Sequence, residues 1–248
     1  MGKVILEMKP NSLFISLLIL SFSACVTKPD GIALVGGGLL DTTQPQMLII
    51  DDSIIMVKGA FIRASGHRSI TPLPASAEKI DVKGQFLIPI PTAVDESQLD
   101  VPALDMEKFV EQVSIRRPLI VGIPLDSTQW ERHVIALMRA QRIRVFPRLA
   151  KVKPGVELER AKKNTKILVD EDIKICIPPG PDAEAEIAML AQVGLDNKQL
   201  VRAYLSTASL SSGSDANISV IRGNPLTNWK NMFQVERRMM AGEWQAGR

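Results

Sequence analysis

The chain has 248 residues, 46% of them hydrophobic and 23% charged. That supports a sizeable buried core and excludes a disordered or collagen-like chain. Thirty Lys and Arg against 27 Asp and Glu leave a net charge of +3 with no basic block, and only 4% of residues are aromatic. No nucleic acid partner is therefore expected.

The N-terminus reads as a targeting segment. Lys3 and Lys9 make a positive n-region ahead of an apolar run, Leu13 to Phe22. The run is too short for a bilayer core of about 30 Å and suits the h-region of a secretory signal. Ser23-Ala24-Cys25 closes it in a pattern that resembles a bacterial lipobox, with Phe22 where Leu is usual. The resemblance implies that 1–24 is a signal peptide and that Cys25 is acylated, each buried acyl CH2 contributing about 0.8 kcal/mol to anchoring. An ordinary signal peptide with an incidental Cys is the other reading. With Val26 and Thr27, and no Asp, after the Cys, the expected address is the bacterial cell envelope. The protein would be lipid-anchored, facing the periplasm, at the outer membrane.

Residues 25–89 form the first stretch after the signal. Ile32 to Val35 is a strand candidate, followed by Gly36-Gly37-Gly38. No helix pattern and no Gly-Lys-Ser/Thr follows that triplet, which argues against a phosphate loop. Met47 to Val57 is apolar on both sides of a turn at Asp51-Asp52, and Lys58-Gly59 makes a second turn. Phe61 to Ala64, Ile80 to Val82 and Phe86 to Ile88 continue the series, spaced as in a sandwich.

Residues 90–213 alternate strand and helix. Pro118 to Ile123 is a buried-strand run, and Ser127 can cap a helix carrying Trp130, Val134, Leu137 and Met138. Arg144 to Phe146 and Ile173 to Ile177 are strands, with a helix opened by Pro154 between them. Asp182 can cap a helix that stops at Gly194, and Asn197 to Leu210 makes another. Residues 214–248 return to β, with Ile218 to Ile221, Phe233 to Val235 and Arg238 to Met240 as strands. The C-terminal strands can satisfy open edges by joining the N-terminal sheet. The fold class is α/β with flanking β: a composite β-sandwich from both chain ends around strand–helix units.

Three phrases resemble the amidohydrolase superfamily, especially its imidazolonepropionase- and prolidase-like members. They are Val57 to Gly66 (VKGAFIRASG), Leu73 to Pro89 (LPASAEKIDVKGQFLIP) and Gly213 to Leu226 (GSDANISVIRGNPL). Ala183 to Ala208 is a weaker match to the final barrel helices. The resemblance implies a metal-bearing TIM-like barrel with a small sandwich built from both ends. It places metal ligands in Asp-x-His-x-His after the second phrase. This chain instead reads Ala93-Val94-Asp95-Glu96-Ser97, so Asp95 and Ser97 stand near the His positions. A last Asp ligand would fall near Gly180, with Asp182 two residues on. Residues 90–213 are also short for a barrel that needs about 200 residues or more, so a partial (β/α) barrel is expected. Its open edges could be covered in a homodimer.

A hydrolytic zinc needs three or four fixed ligands. The chain has two His, His67 and His133, expected on a surface turn and along a helix. Asp95, Asp182 and Glu184, with Glu96 and Glu186 nearby, are the candidate oxygen ligands; otherwise they are solvated loop and helix-start charges. Cys176 lies in a β-rich run and is expected to be buried and inert. Ser206, Ser209, Ser211 and Ser212 lack a Gly-x-Ser-x-Gly elbow and are expected to be a polar loop. The primary expectation is an amidohydrolase-like lipoprotein with a degenerate metal site. It would bind a small molecule, act as a scaffold or be a remnant, with no catalytic residue and no cofactor. The alternative is a zinc-dependent hydrolase of C–N bonds in cyclic amides or dipeptides, with an oxygen-rich or dimer-shared site.

Overall fold

The structure is a computed structural model that describes residues 29–44, 46–92, 120–122 and 132–246. Cys25 and Asp95 lie outside the described residues, as do Glu96, Ser97 and the cap expected at Ser127.

The first chain segment forms seven strands: β1 (Ile32–Val35), β2 (Gly38–Asp41), β3 (Leu48–Ile50), β4 (Ser53–Lys58), β5 (Phe61–His67), β6 (Glu78–Asp81) and β7 (Gln85–Pro89). β11 (Ile218–Arg222), β12 (Val235–Met240) and β13 (Glu243–Trp244) close the chain. They assemble two facing sheets, ordered β5-β4-β1-β6 and β13-β12-β11-β7-β2-β3. β11 lies antiparallel to β7, in register from Ile218↔Pro89 to Arg222↔Gln85. The two chain ends thus share one sheet.

The six-stranded sheet is covered on both faces, and the two-residue period of a strand sorts its side chains. Leu39, Leu87 and Val220 face the first sheet and pack with Leu34, Ile55 and Val57. Leu40, Ile88 and Ile221 point the other way, into the helical half. This is why β2 and β7 carry consecutive apolar residues, Leu39-Leu40 and Leu87-Ile88, and β11 carries Val220-Ile221. Burying each such side chain stabilises by about 1.5–3 kcal/mol.

The helical half carries a parallel sheet ordered β10-β9-β8, from β8 (Ile120–Gly122), β9 (Arg144–Phe146) and β10 (Lys174–Ile175). Among the described residues four helices accompany it: α1 (Arg132–Ala140), α2 (Val156–Asp170), α3 (Ala183–Val193) and α4 (Asn197–Leu205). Among the described residues the fold is a mixed α/β architecture with three sheets.

Several local expectations need correction. β10 spans only Lys174 and Ile175: the Cys176 amide still donates to the Val145 carbonyl of β9, but the Ile177 amide donates to the Ala203 carbonyl of α4, each at 2.9 Å, as the chain leaves the sheet. α4 stops at Leu205 rather than Leu210, and the Arg144 guanidinium takes the Ser206 carbonyl at 2.9 Å. Residues 235–240 form one strand, preceded by a 3-10 turn at Trp229–Phe233. Asp182 does not cap α3. Its backbone is already helical (φ −91°, ψ −2°), and its side chain accepts no cap bond; an N-cap needs an extended backbone to fold its side chain over the first turn. Gly194 ends α3 in the left-handed region, as its position suggested (φ 104°).

Candidate functional site

In an open α/β sheet, chemistry belongs at the carboxyl ends of the parallel strands. After β9 that end is Pro147-Arg148 and a 3-10 turn at Leu149–Lys151. After β10 it is Cys176 to Pro181, leading into α3. The first turn of α3 therefore projects here, with Asp182, Glu184 and Glu186.

These carboxylates do not act alike. Asp182 and Glu184 are exposed. Glu186 is 1% exposed, and both of its oxygens are used. Oε1 accepts the Leu149 amide at 2.9 Å and Oε2 the Ala150 amide at 2.7 Å. Arg148, at φ 56°, turns the chain so that these amides converge, forming an anion cradle of successive N–H groups. Burial pushes the Glu186 carboxyl above its ordinary value. The amides of Ala150, Leu149 and Arg148 pull it back, and the Asp182 charge adds to the rise. Glu186 thus ties the loop after β9 to α3.

Among the described residues the donor set does not fit a hydrolytic zinc, which needs three or more converging ligands. Among the described residues no group of three or more His, Cys, Asp or Glu side chains could hold a metal ion. His67 is exposed at the end of β5, where its Nδ1 meets the Ser69 hydroxyl at 2.8 Å. His133 is exposed at the second position of α1, nearer the helix start than expected. Neither lies beside Asp182 or Glu184 in a cluster.

Cys176 is fully buried. Burial raises its thiol pKa, while the Ser206 hydroxyl, 3.0 Å from the sulfur, and the Arg144 charge oppose the rise. The other serines form a loop: Ser209 donates to Ser211 at 2.9 Å, and Ser212 to the Arg63 carbonyl of β5 at 2.8 Å. That network fastens 209–214 to the sandwich.

The opposite, amino end of the parallel sheet holds a cavity of about 550 Å³. Arg142 and Arg144 enter it beside β9, Asp172 and Lys174 beside β10, and Arg202 from α4. Thr42, Thr43 and Met47 from the β2–β3 connection form its far wall. Sequence reasoning missed this site. Its residues come from four separate stretches of chain, 42–47, 142–144, 169–175 and 195–208, none of which carries a local signal of a site.

No family model and no curated protein matches the sequence. Solved structures do match in fold. A molinate hydrolase aligns at TM-score 0.63 and 8% identity, over 88% of this chain and 95% of that one. A Xaa-Pro dipeptidase with bound methionine aligns at 0.60 and 9%, over 87% and 100%. A guanine deaminase from C. acetobutylicum aligns at 0.55 and 8%, over 87% and 100%. Prolidase, amidohydrolase and guanine deaminase structures of the amidohydrolase superfamily recur among the matches, so the chain has an amidohydrolase-like fold.

Proposed function

We propose that this chain is an amidohydrolase-like lipoprotein of the bacterial envelope that binds a small molecule rather than hydrolysing one. In this reading its α/β half is an open part-barrel, and the Cys25 anchor holds it facing the periplasm. The observation that carries the reading is Glu186. At the end of the sheet where a metal-activated water would work, the buried carboxylate is spent on the Leu149 and Ala150 amides. Asp182 and Glu184 beside it face solvent. Kinship in fold does not supply the chemistry.

The test is metal content and hydrolysis by the purified full chain, with an Xaa-Pro dipeptide as substrate. The expected result is no stoichiometric metal and no chelator-sensitive cleavage. About one zinc per chain, lost together with dipeptide cleavage on chelation, would establish the hydrolase reading instead. The anchor is tested separately. Labelled palmitate should enter the protein in growing cells, and Cys25→Ser should abolish incorporation. Incorporation that survives this change would sink the lipobox assignment.

A further inference from the structure

The cavity at the amino end of the parallel sheet has three properties that do not follow from folding alone. The first is charge. Arg142, Arg144, Lys174 and Arg202 line it against one carboxylate, Asp172, in a chain whose total charge is only +3. Glu171, next to Asp172 in the chain, is taken by Arg139 in an ion pair at 2.8 Å, and Asp41 accepts the Thr43 amide and hydroxyl. Arg144 is held in the wall by its bond to the Ser206 carbonyl. No hydrogen bond or ion pair fixes the side chains of Arg142 or Lys174 among the described residues.

The second is backbone strain. Among the described residues six non-glycine positions have positive φ: Met47, Asp52, Arg142, Arg148, Asp172 and Ala241. Three of them, Met47 (42°), Arg142 (56°) and Asp172 (59°), line this one cavity. Arg142 and Asp172 hold equivalent places. Each follows a helix in a turn whose next amide reaches back: Ile143 to the Met138 carbonyl and Ile173 to the Leu168 carbonyl, both at 2.9 Å. Glycine is the residue this position favours, and Gly194 fills it after α3. Long or charged side chains kept where glycine would be easier point to a use for those side chains.

The third is shape. About 550 Å³ lies within the roughly 300–1,000 Å³ typical of small-molecule sites. Its lining includes the apolar side chains of Val169, Ile175 and Leu205, and the Thr42 and Thr43 hydroxyls on it donate to the Ala208 carbonyl and to Asp41.

We infer that this cavity is a binding site for a small organic oxyanion carrying two or more negative charges. The cationic side chains take the charged groups, and the apolar part of the lining takes the carbon skeleton. Guanidinium groups suit carboxylate and phosphate oxygens through paired N–H donors. The site lies at the opposite end of the sheet from Glu186, so the inference holds whether or not the carboxyl end is catalytic.

Calorimetric titration of the purified full chain tests it, with citrate, glycerol 3-phosphate and acetate as probes at physiological ionic strength. At least one multiply charged probe should bind saturably, with acetate about tenfold weaker or more. Arg142→Gly should weaken binding by about fivefold or more while leaving the melting temperature unchanged or raised, because glycine adopts this φ freely. Lys174→Gln should weaken it similarly. Lys153→Gln, an exposed charge outside the cavity, should not. The inference is overturned by no saturable binding of citrate or glycerol 3-phosphate. It is overturned equally by acetate binding as well as they do, by undiminished binding in both cavity variants, or by an equal loss in Lys153→Gln.

Discussion

A carboxylate cannot be taken out of water without replacement partners, and Glu186 finds them in backbone amides. Gln at this position would turn an NH2 group toward one of those amides, leaving a buried donor unmatched. Glu186→Gln should therefore destabilise the fold by about 1–3 kcal/mol at neutral pH, read by urea unfolding. Acid should sharpen the contrast. The folded pKa is raised above the ordinary 4.5, so the folded state favours the protonated form. The stability this group contributes is fully present below pH 4.5 and is lost as pH rises through the folded value. The wild type's margin over Glu186→Gln should widen as pH falls toward 4.5; a narrowing margin would show that the amides outweigh burial. Cys176 poses the same question for a thiol. Its full burial and raised pKa leave little thiolate at the surface to react. Mass mapping after iodoacetamide treatment should find Cys176 unmodified in the native protein and modified in urea. Rapid native labelling would contradict its burial.

At the scale of elements, the contrast between α3 and α4 shows what a local pattern can specify. α4 opens with a full capping box: Asp196 accepts the Gln199 amide at 2.8 Å, and Gln199 accepts the Asp196 amide at 2.9 Å. The spacing Asp-x-x-Gln carries that signal openly, although the sequence reading passed over it. Asp182 offers a capping residue type before α3, but the Pro178-Pro179-Gly180-Pro181 approach delivers it with a helical backbone, so the type alone misleads. Asp196→Ala should cost about 1 kcal/mol, lowering the melting temperature by about 2–4 °C for a chain of this size. No measurable shift would mean that Leu200 and Val201, both buried, hold the first turn without its cap. Strand patterns were legible for a similar reason. The turns at Asp51-Asp52, Lys58-Gly59 and Lys83-Gly84 interrupt apolar runs, and strands end there. The merged strand Val235–Met240 was less so, because three consecutive residues in it, Glu236, Arg237 and Arg238, are charged and exposed. The cavity was not legible at all. Arg142 and Asp172 are ordinary surface residues by type, and only the backbone shows them in left-handed turns facing one space.

At the scale of the whole molecule, the segment from Ile218 to Trp244 is the part on which both cores depend. β11 is an interior strand of the six-stranded sheet, flanked by β7 and β12. Ile218 and Val220 fill the space between the two sheets, while Ile221, Trp229 and Met232 fill the space beneath the helices. The tip of the same segment is stitched to α4, where Asn197 donates to the Thr227 carbonyl at 2.7 Å and the Tyr204 ring packs tilted against Phe233 at 5.4 Å. Removing 214–248 would strip large side chains from two cores at once and leave the β7 edge unpaired. Five buried apolar side chains at about 1.5–3 kcal/mol each are together comparable with the roughly 5–15 kcal/mol by which a domain is stable. The shortened chain should therefore show no cooperative thermal transition in circular dichroism. Removing only 243–248 takes away the edge strand β13 and the half-buried Trp244. That variant should unfold cooperatively, with a loss of about 1–3 kcal/mol. If the 214–248 deletion still melts cooperatively, the helical half folds without the strand that faces it, and the two cores are independent. If both deletions abolish the transition, the sheet depends on its β13 edge as well as on β11. Only the expected split between them places the joint between the two halves at the interior strand β11.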